Sequence, residues 1–329
     1  MHSTSPTPKP ASPPAWRSLL AEYVGLVSVL LGLIAIFSLT TNNFFSRPNF
    51  LTIANQIPAA LLIATAMTYV LIIAEIDLSV GSVLGLCTAV LGTLMAKLHW
   101  PLAAALPATL AAGLLCGLFN GWVAMRWKLP TFIVTLGMLE MARGGAHAVT
   151  RSQTQYIGQS IGHIAETHVL GLSLPFLLAL SVVITAQLVL TRTVFGRYLI
   201  AIGTNQEAVR LCGIDPRPLK RTVFILAGLL VAIAAIIDTS RFQSSNPNAG
   251  SGFELQAIAA AVIGGTSLMG GRGSVLSTFF GVLIIAVLNS GLAALGARDE
   301  TKRLVTGSVI VLAVILDQYR HRLGKTKTP

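Results

Sequence analysis

The sequence predicts an all-α polytopic membrane protein with about ten transmembrane or re-entrant helices and both termini cytoplasmic. Three observations predict it. Hydrophobic residues make up 53% of the 329-residue chain and charged residues only 11%, against about 25% charged in an ordinary soluble domain. Mean hydropathy is +0.74. Apolar stretches follow one another almost without pause from Tyr23 to Leu316. A water-soluble globule of this size could not hide so much apolar surface, so lipid is the solvent for much of it.

A helical residue rises about 1.5 Å and the hydrocarbon core is about 30 Å thick, so a span takes about 20 residues. Residues 1–22, rich in Pro, Ser and Thr, read as a disordered cytoplasmic tail. The stretch 23–40 is longer than the core of a signal peptide and is not followed by a small-residue cleavage site, so it reads as the first span. Further clear spans are 51–74, 79–96, 101–125, 172–191, 222–240 and 273–295. Three segments are weaker: 130–149 carries Glu140 and Arg143, 254–271 is interrupted by glycine, and 303–318 has a short uncharged stretch. A transmembrane domain over 23–318 results, with 319–329 as a cytoplasmic C-terminal tail.

Two spans depart from a plain apolar rod. Pro58 falls in the second or third turn of 51–74, where it removes a backbone donor and kinks the helix. The run Ile263–Gly271 holds four glycines, with Gly273 just after. Irregular backbone at membrane depth survives only inside protein or beside water, which suits a broken or re-entrant segment near a permeation path. Close helix packing through small residues explains the same glycines, and both readings can hold.

The net charge of +11 does not point to nucleic acid, because the basic residues sit at segment ends rather than on one polar face. With the N-terminus inside, 15 of the 23 Lys and Arg residues fall on inner segments, as the positive-inside rule asks. Cys87, Cys116 and Cys212 have no metal-ligand spacing and imply no disulfide framework. Gly324-Lys325-Thr326 imitates the end of a phosphate-binding loop, but Tyr319 stands where that loop needs its first glycine. No catalytic or metal constellation is present, so no cofactor is expected on this chain.

The longest polar inner segment, about 192–221, contains a short helix. Thr204 or Asn205 caps its start, Glu207 favours its first turn, and Gly213 suits its end. Ala208, Leu211 and Cys212 form a small apolar face, with Gln206, Glu207 and Arg210 elsewhere. Two turns are marginal alone in water. The helix therefore packs along the membrane interface, or fits a groove on a cytosolic partner and carries motion into the spans.

At this point the sequence resembles the permease subunits of bacterial ABC-type sugar importers of the ribose, xylose and inositol group. The carriers are Ile76–Ser82, Gly117–Gly121, Leu129–Gly137, Phe195-Gly-Arg197 with the 203–215 loop, Glu254–Ala260, and Gly264 through Ser274. Two residues depart from the usual pattern: Glu75, where a glycine commonly precedes Ile-Asp-Leu-Ser, and Cys212, where a serine is common. The resemblance implies that Gly203–Gly213 is the coupling helix, with Asn205, Gln206, Glu207, Arg210 and Gly213 facing an ABC ATPase subunit that holds the ATP and Mg. It also implies a periplasmic sugar-binding protein outside and a permease homodimer. The same resemblance favours a sugar over a branched-chain amino acid, and a secondary transporter would need inverted repeats that are not evident. Ser152–Gly158 and Ile214–Pro218 look closest to the inositol-type members.

A charge near the bilayer centre costs about 2.5–3.5 kcal/mol on insertion scales, so each needs a reason. Glu140 with Arg143, and Asp238 with Arg241, have the i, i+3 spacing of a helix-face pair. Each pair is structural or serves outer gating or docking. Asp77 suits a position at the interface, capping the helix that starts near Ser79. A sugar path asks for donors and acceptors without trapped charge, which Asn55, Gln56, Asn120, Thr135 and Asn289 could supply. The same side chains can instead bridge helices.

Overall fold

The structure is a computed structural model that describes residues 15–169 and 171–325; residues 1–14 and 326–329 of the two expected tails lie outside the described residues. It is a bundle of α-helices with four two-residue strands. Among the described residues, six helices are long and apolar enough to cross a membrane, or seven if one bent pair is a single span.

Helix α1 (Ala15–Thr40) packs on one edge of the bundle. Within the described residues it already runs over 15–22, ahead of the first expected span. Helices α2 (Arg47–Gln56) and α3 (Pro58–Ile72) meet at 49°, because Pro58 breaks the hydrogen-bond ladder between them. Every residue of α3 except Ala60 is buried. Such all-round hydrophobicity belongs to a helix surrounded by other helices. Helices α4 (Val80–Gly92), α5 (Leu102–Trp127) and α6 (Thr131–Thr150) follow, α4 ending in a π-helical turn over Thr93–Lys97.

The middle of the chain holds α7 (Gln159–Glu166), α8 (Leu174–Arg192), α9 (Val194–Thr204) and α10 (Gln206–Leu211). Helix α11 (Pro216–Phe242) starts at a proline, where the missing N–H is no loss, and Asp215 accepts from Arg217 N at 3.0 Å to cap it. Gly113, Gly117 and Gly121 of α5 face Gly228, Phe224 and Arg221 of α11, where a Cβ would collide with the partner backbone. Small residues thus let these two helices approach closely, as membrane packing favours.

Helix α12 (Phe253–Ile263) has 11 residues, about half a bilayer at ~1.5 Å per residue. It stops where the glycine run begins, and 264–274 folds into turns, with Gly265, Gly270 and Gly271 at positive φ. The expected segment 254–271 is therefore a half-length helix followed by a glycine turn. Gly271 N donates to Ile72 O at 2.8 Å, satisfying a carbonyl at the end of α3. Helices α13 (Val275–Ala294) and α14 (Asp299–Lys325) complete the chain. At the opposite end, β1 (Gln155–Tyr156) pairs antiparallel with β4 (Ser244–Ser245), tying the α6–α7 linker to the α11–α12 linker. A second hairpin joins β2 (His168–Val169) and β3 (Leu172–Ser173).

Candidate functional site

Two groups of polar residues stand out, one at each end of the buried helix α3. At its C-terminal end the chain turns through Glu75-Ile-Asp-Leu-Ser79 into α4. Asp77 is buried, and its Oδ1 accepts from Ser79 N at 2.9 Å and Ser79 Oγ at 2.6 Å, closing the turn that launches α4. It is a buried turn residue three positions before Val80, the first residue of α4. Burial pushes its carboxyl above the usual range, against the lowering effect of the Ser79 and Asn120 hydrogen bonds. Asn120 Nδ2 of α5 donates to Ser79 Oγ at 3.0 Å, and Leu78 N donates to Thr135 Oγ1 of α6 at 3.1 Å. Both residues expected along a sugar path are thus engaged in holding this turn, although Asn120 Oδ1 is buried without a partner.

Glu75, one of the two departures from the pattern expected by resemblance, has two partners here. Its Oε1 accepts from Lys220 Nζ of α11 in a mostly buried ion pair, and its Oε2 accepts from Thr131 Oγ1 of α6 at 2.6 Å. Lys220 escaped the sequence reading. A lysine inside a helix start that is otherwise apolar on one face was the available signal, but nothing in the sequence paired it with a residue 145 positions away.

Helix α10 packs on α9 and α11, and α9 in turn meets α3. Asn205 Oδ1 accepts from Ala208 N at 3.0 Å as the N-cap, Glu207 and Arg210 make an exposed pair at 3.4 Å, and Gly213 has φ +83°. Val209 is buried against the protein, whereas Leu211 is 83% exposed. Just before it, Gly203 lies against Ile72 O, where a Cβ would collide. The end of α9, the glycine turn and the end of α3 therefore meet backbone to backbone.

At the other end of α3, a cavity of about 200 Å³ opens between α2, α3, α12 and α13. Its polar lining is Gln56, Gln256, Asn289 and Arg241 against an apolar wall. Two of the expected path residues, Gln56 and Asn289, meet there with one of the expected gate residues. Asn289 Oδ1 accepts from Thr306 Oγ1 of α14 at 3.3 Å. Asn55 is outside the lining, and its Oδ1 is buried without a hydrogen-bond partner. Gln256 was missed as a site residue, although it lies in the Glu254–Ala260 motif.

Neither Glu140 with Arg143 nor Asp238 with Arg241 forms an ion pair within 4.0 Å among the described residues. Glu140 is exposed on the outer face of α6, while Arg143 Nη1 donates to Pro247 O at 2.8 Å and Ala249 O at 3.1 Å. The pairing expected from spacing gives way because the 246–250 loop offers two carbonyls within reach. Asp238 is half-buried, and Arg241 lies 4.9 Å above the Phe242 ring.

A family model described as "Branched-chain amino acid transport system / permease component" matches residues 49–314. The ribose import permease protein of Haemophilus influenzae is 39% identical over 305 residues, 91% of this chain and 94% of that protein. The chain belongs to this permease family, on its sugar-importer branch. A fructose import permease of Rhizobium meliloti is 34% identical over 316 residues (92% and 86% of the two chains). The xylose transport system permease of Escherichia coli K12 is 32% identical over 369 (93% and 94%). No solved structure matches. The permease is thus a multi-pass protein of the inner membrane, and its family is a component of ABC transporters, not their ATPase.

Proposed function

We propose that this permease carries a monosaccharide or polyol of the ribose, xylose or inositol type into the cytoplasm by alternating access. The observation that carries the reading is near-full-length similarity to ribose, fructose and xylose permeases. The amides of Gln56, Gln256 and Asn289 around one cavity, beside Arg241, support it, because sugar hydroxyls need hydrogen-bond donors and acceptors. In this reading the domain of 23–318 crosses the bilayer about ten times between cytoplasmic tails 1–22 and 319–329, with α12 as a half-length crossing. The positive-inside count supports that topology, and a C-terminal reporter active only outside the cell would overturn it.

ATP and Mg are held by an ABC ATPase subunit, against which Asn205, Gln206, Glu207, Arg210 and Gly213 present helix α10. The outward Leu211 supports this arrangement, since its side chain is left largely open to solvent. Two copies form a homodimer, and a periplasmic sugar-binding protein docks outside, where Glu140, Arg143, Asp238 and Arg241 serve gating or docking. Asn55, Asn120 and Thr135 complete the path residues with Gln56 and Asn289. Reconstitution with the ATPase and binding protein tests the reading. Uptake of labelled ribose, xylose or inositol requires ATP; uptake driven by an ion gradient without partners would refute it.

A further inference from the structure

The C-terminal end of α5 and the start of α11 enclose a second cavity, of about 360 Å³, that the transport reading does not use. Arg126, Arg217 and Arg221 line it together with Trp122 and Asp215. None of the three arginines makes an ion pair within 4.0 Å among the described residues. Asp215, whose Oδ1 accepts from Arg217 N at 3.0 Å, offsets one of the three charges, so the lining keeps a net positive charge. Three unpaired guanidiniums around one cleft form an anion site, and arginine matches phosphate oxygens in paired hydrogen bonds.

The surroundings say where the anion comes from. Leu115, Phe119, Trp122 and Arg126 follow i, i+4, i+7, i+11 along α5, so they form one stripe that changes from apolar to basic. Leu115, Phe119 and Trp122 are exposed, and Trp122 stacks edge-on with Trp127 at 5.0 Å between centroids. Tryptophan pairs of this kind mark the headgroup level of a bilayer. A free phosphate would use the arginines and leave the stripe bare. A lipid uses both, laying an acyl chain along Leu115 and Phe119 with its phosphate among the arginines. Basic pockets between spanning helices are the usual sites of anionic headgroups.

We propose that this cleft binds an anionic phospholipid, with Arg126, Arg217 and Arg221 on the phosphate and Trp122 at the headgroup boundary. The test is native mass spectrometry of the full-length chain, delipidated and titrated with phosphatidylglycerol or phosphatidylcholine. Wild type should retain phosphatidylglycerol in clear preference. The Arg126→Gln/Arg217→Gln/Arg221→Gln variant should lose it by about fivefold per arginine, on the order of a hundredfold in all, from roughly 1 kcal/mol per basic residue at an anionic surface. Arg192→Gln, at the exposed end of α8, controls for general charge loss and should retain the lipid, as should wild type in excess inorganic phosphate. Equal retention of both lipids, or wild-type retention by the triple variant, overturns the proposal. Complete displacement by inorganic phosphate assigns the cleft to a soluble anion and overturns the lipid. Unchanged lipid binding with lost ATPase binding assigns it to protein docking and also overturns it.

Discussion

Replacing Lys220 by methionine tests the ion pair that ties α11 to the turn after α3. Lys220 and Glu75 side chains are 7% and 16% exposed, so neither charge has much water to fall back on. Removing one member of a buried pair costs about 3–5 kcal/mol, because the remaining charge is uncompensated. Lys220→Met leaves Glu75 with only the Thr131 hydroxyl, which places it at the upper end of that range. Glu75→Gln also leaves the Lys220 charge without a counterion, but costs less, since the amide oxygen accepts from Lys220 and the amide nitrogen can donate to the Thr131 hydroxyl oxygen. Glu75→Gln/Lys220→Met removes both charges and recovers most of the loss. The assay is thermal unfolding in detergent, followed by size-exclusion elution after heating. A double-mutant cycle should give a coupling energy above about 1.5 kcal/mol, well beyond the ~0.5 kcal/mol scatter of independent sites. Additive single effects, or a Lys220→Met variant as stable as wild type, would refute the assignment.

Leu211→Asp should change stability by less than about 0.5 kcal/mol, because the side chain is largely exposed; pull-down with the ATPase subunit should fall at least tenfold. Gly213→Pro, at φ +83°, forces a conformation proline cannot adopt, and together with Glu207→Arg it should uncouple ATP hydrolysis from uptake while the protein stays in the membrane. Normal uptake in both variants would count against α10 as the coupling element. Asp77→Asn keeps the Ser79 hydrogen bonds while removing a charge that burial penalises. A raised folded pKa adds stability below the unfolded value, about 3.9, and loses it as pH rises through the folded one. The asparagine variant should therefore melt higher than wild type at pH 7.5 and gain little at pH 4; equal melting at pH 7.5 would refute it.

Much of the helical frame was legible because membrane spans announce themselves by length and hydropathy. The Pro58 bend could be read from one residue, since a proline inside a span has only a few outcomes. Helix α9 was not legible: at 11 residues it is too short for a span, and its apolar face is defined by what it packs against. Nor were α7 and the pairing of Gln155 with Ser245, which join segments 90 positions apart through backbone bonds. Arg143 shows the same limit at a single side chain. Helical spacing offered Glu140, while the fold offered two carbonyls from another loop.

The contrast between the two ends of α3 bears on how motion at α10 would reach the cavity. At the α10 end the contacts are backbone on backbone: Gly203 lies on Ile72 O, and Gly271 N is bonded to it at 2.8 Å. No flexible side chain intervenes to absorb a shift, so a displacement of α9 and α10 must move the end of α3 or break that contact. Helix α3 is buried along its length, and close-packed interiors transmit strain and do not absorb it. Its other end meets α2 across the Pro58 break, beside the cavity that holds Gln56, Gln256 and Asn289. A rigid rod with a firm joint at one end and a hinge at the other converts a push at α10 into a change at the cavity mouth. Placing the glycines at the joint and the proline at the hinge is what that conversion requires; exchanging them would leave a soft joint that dissipates the push.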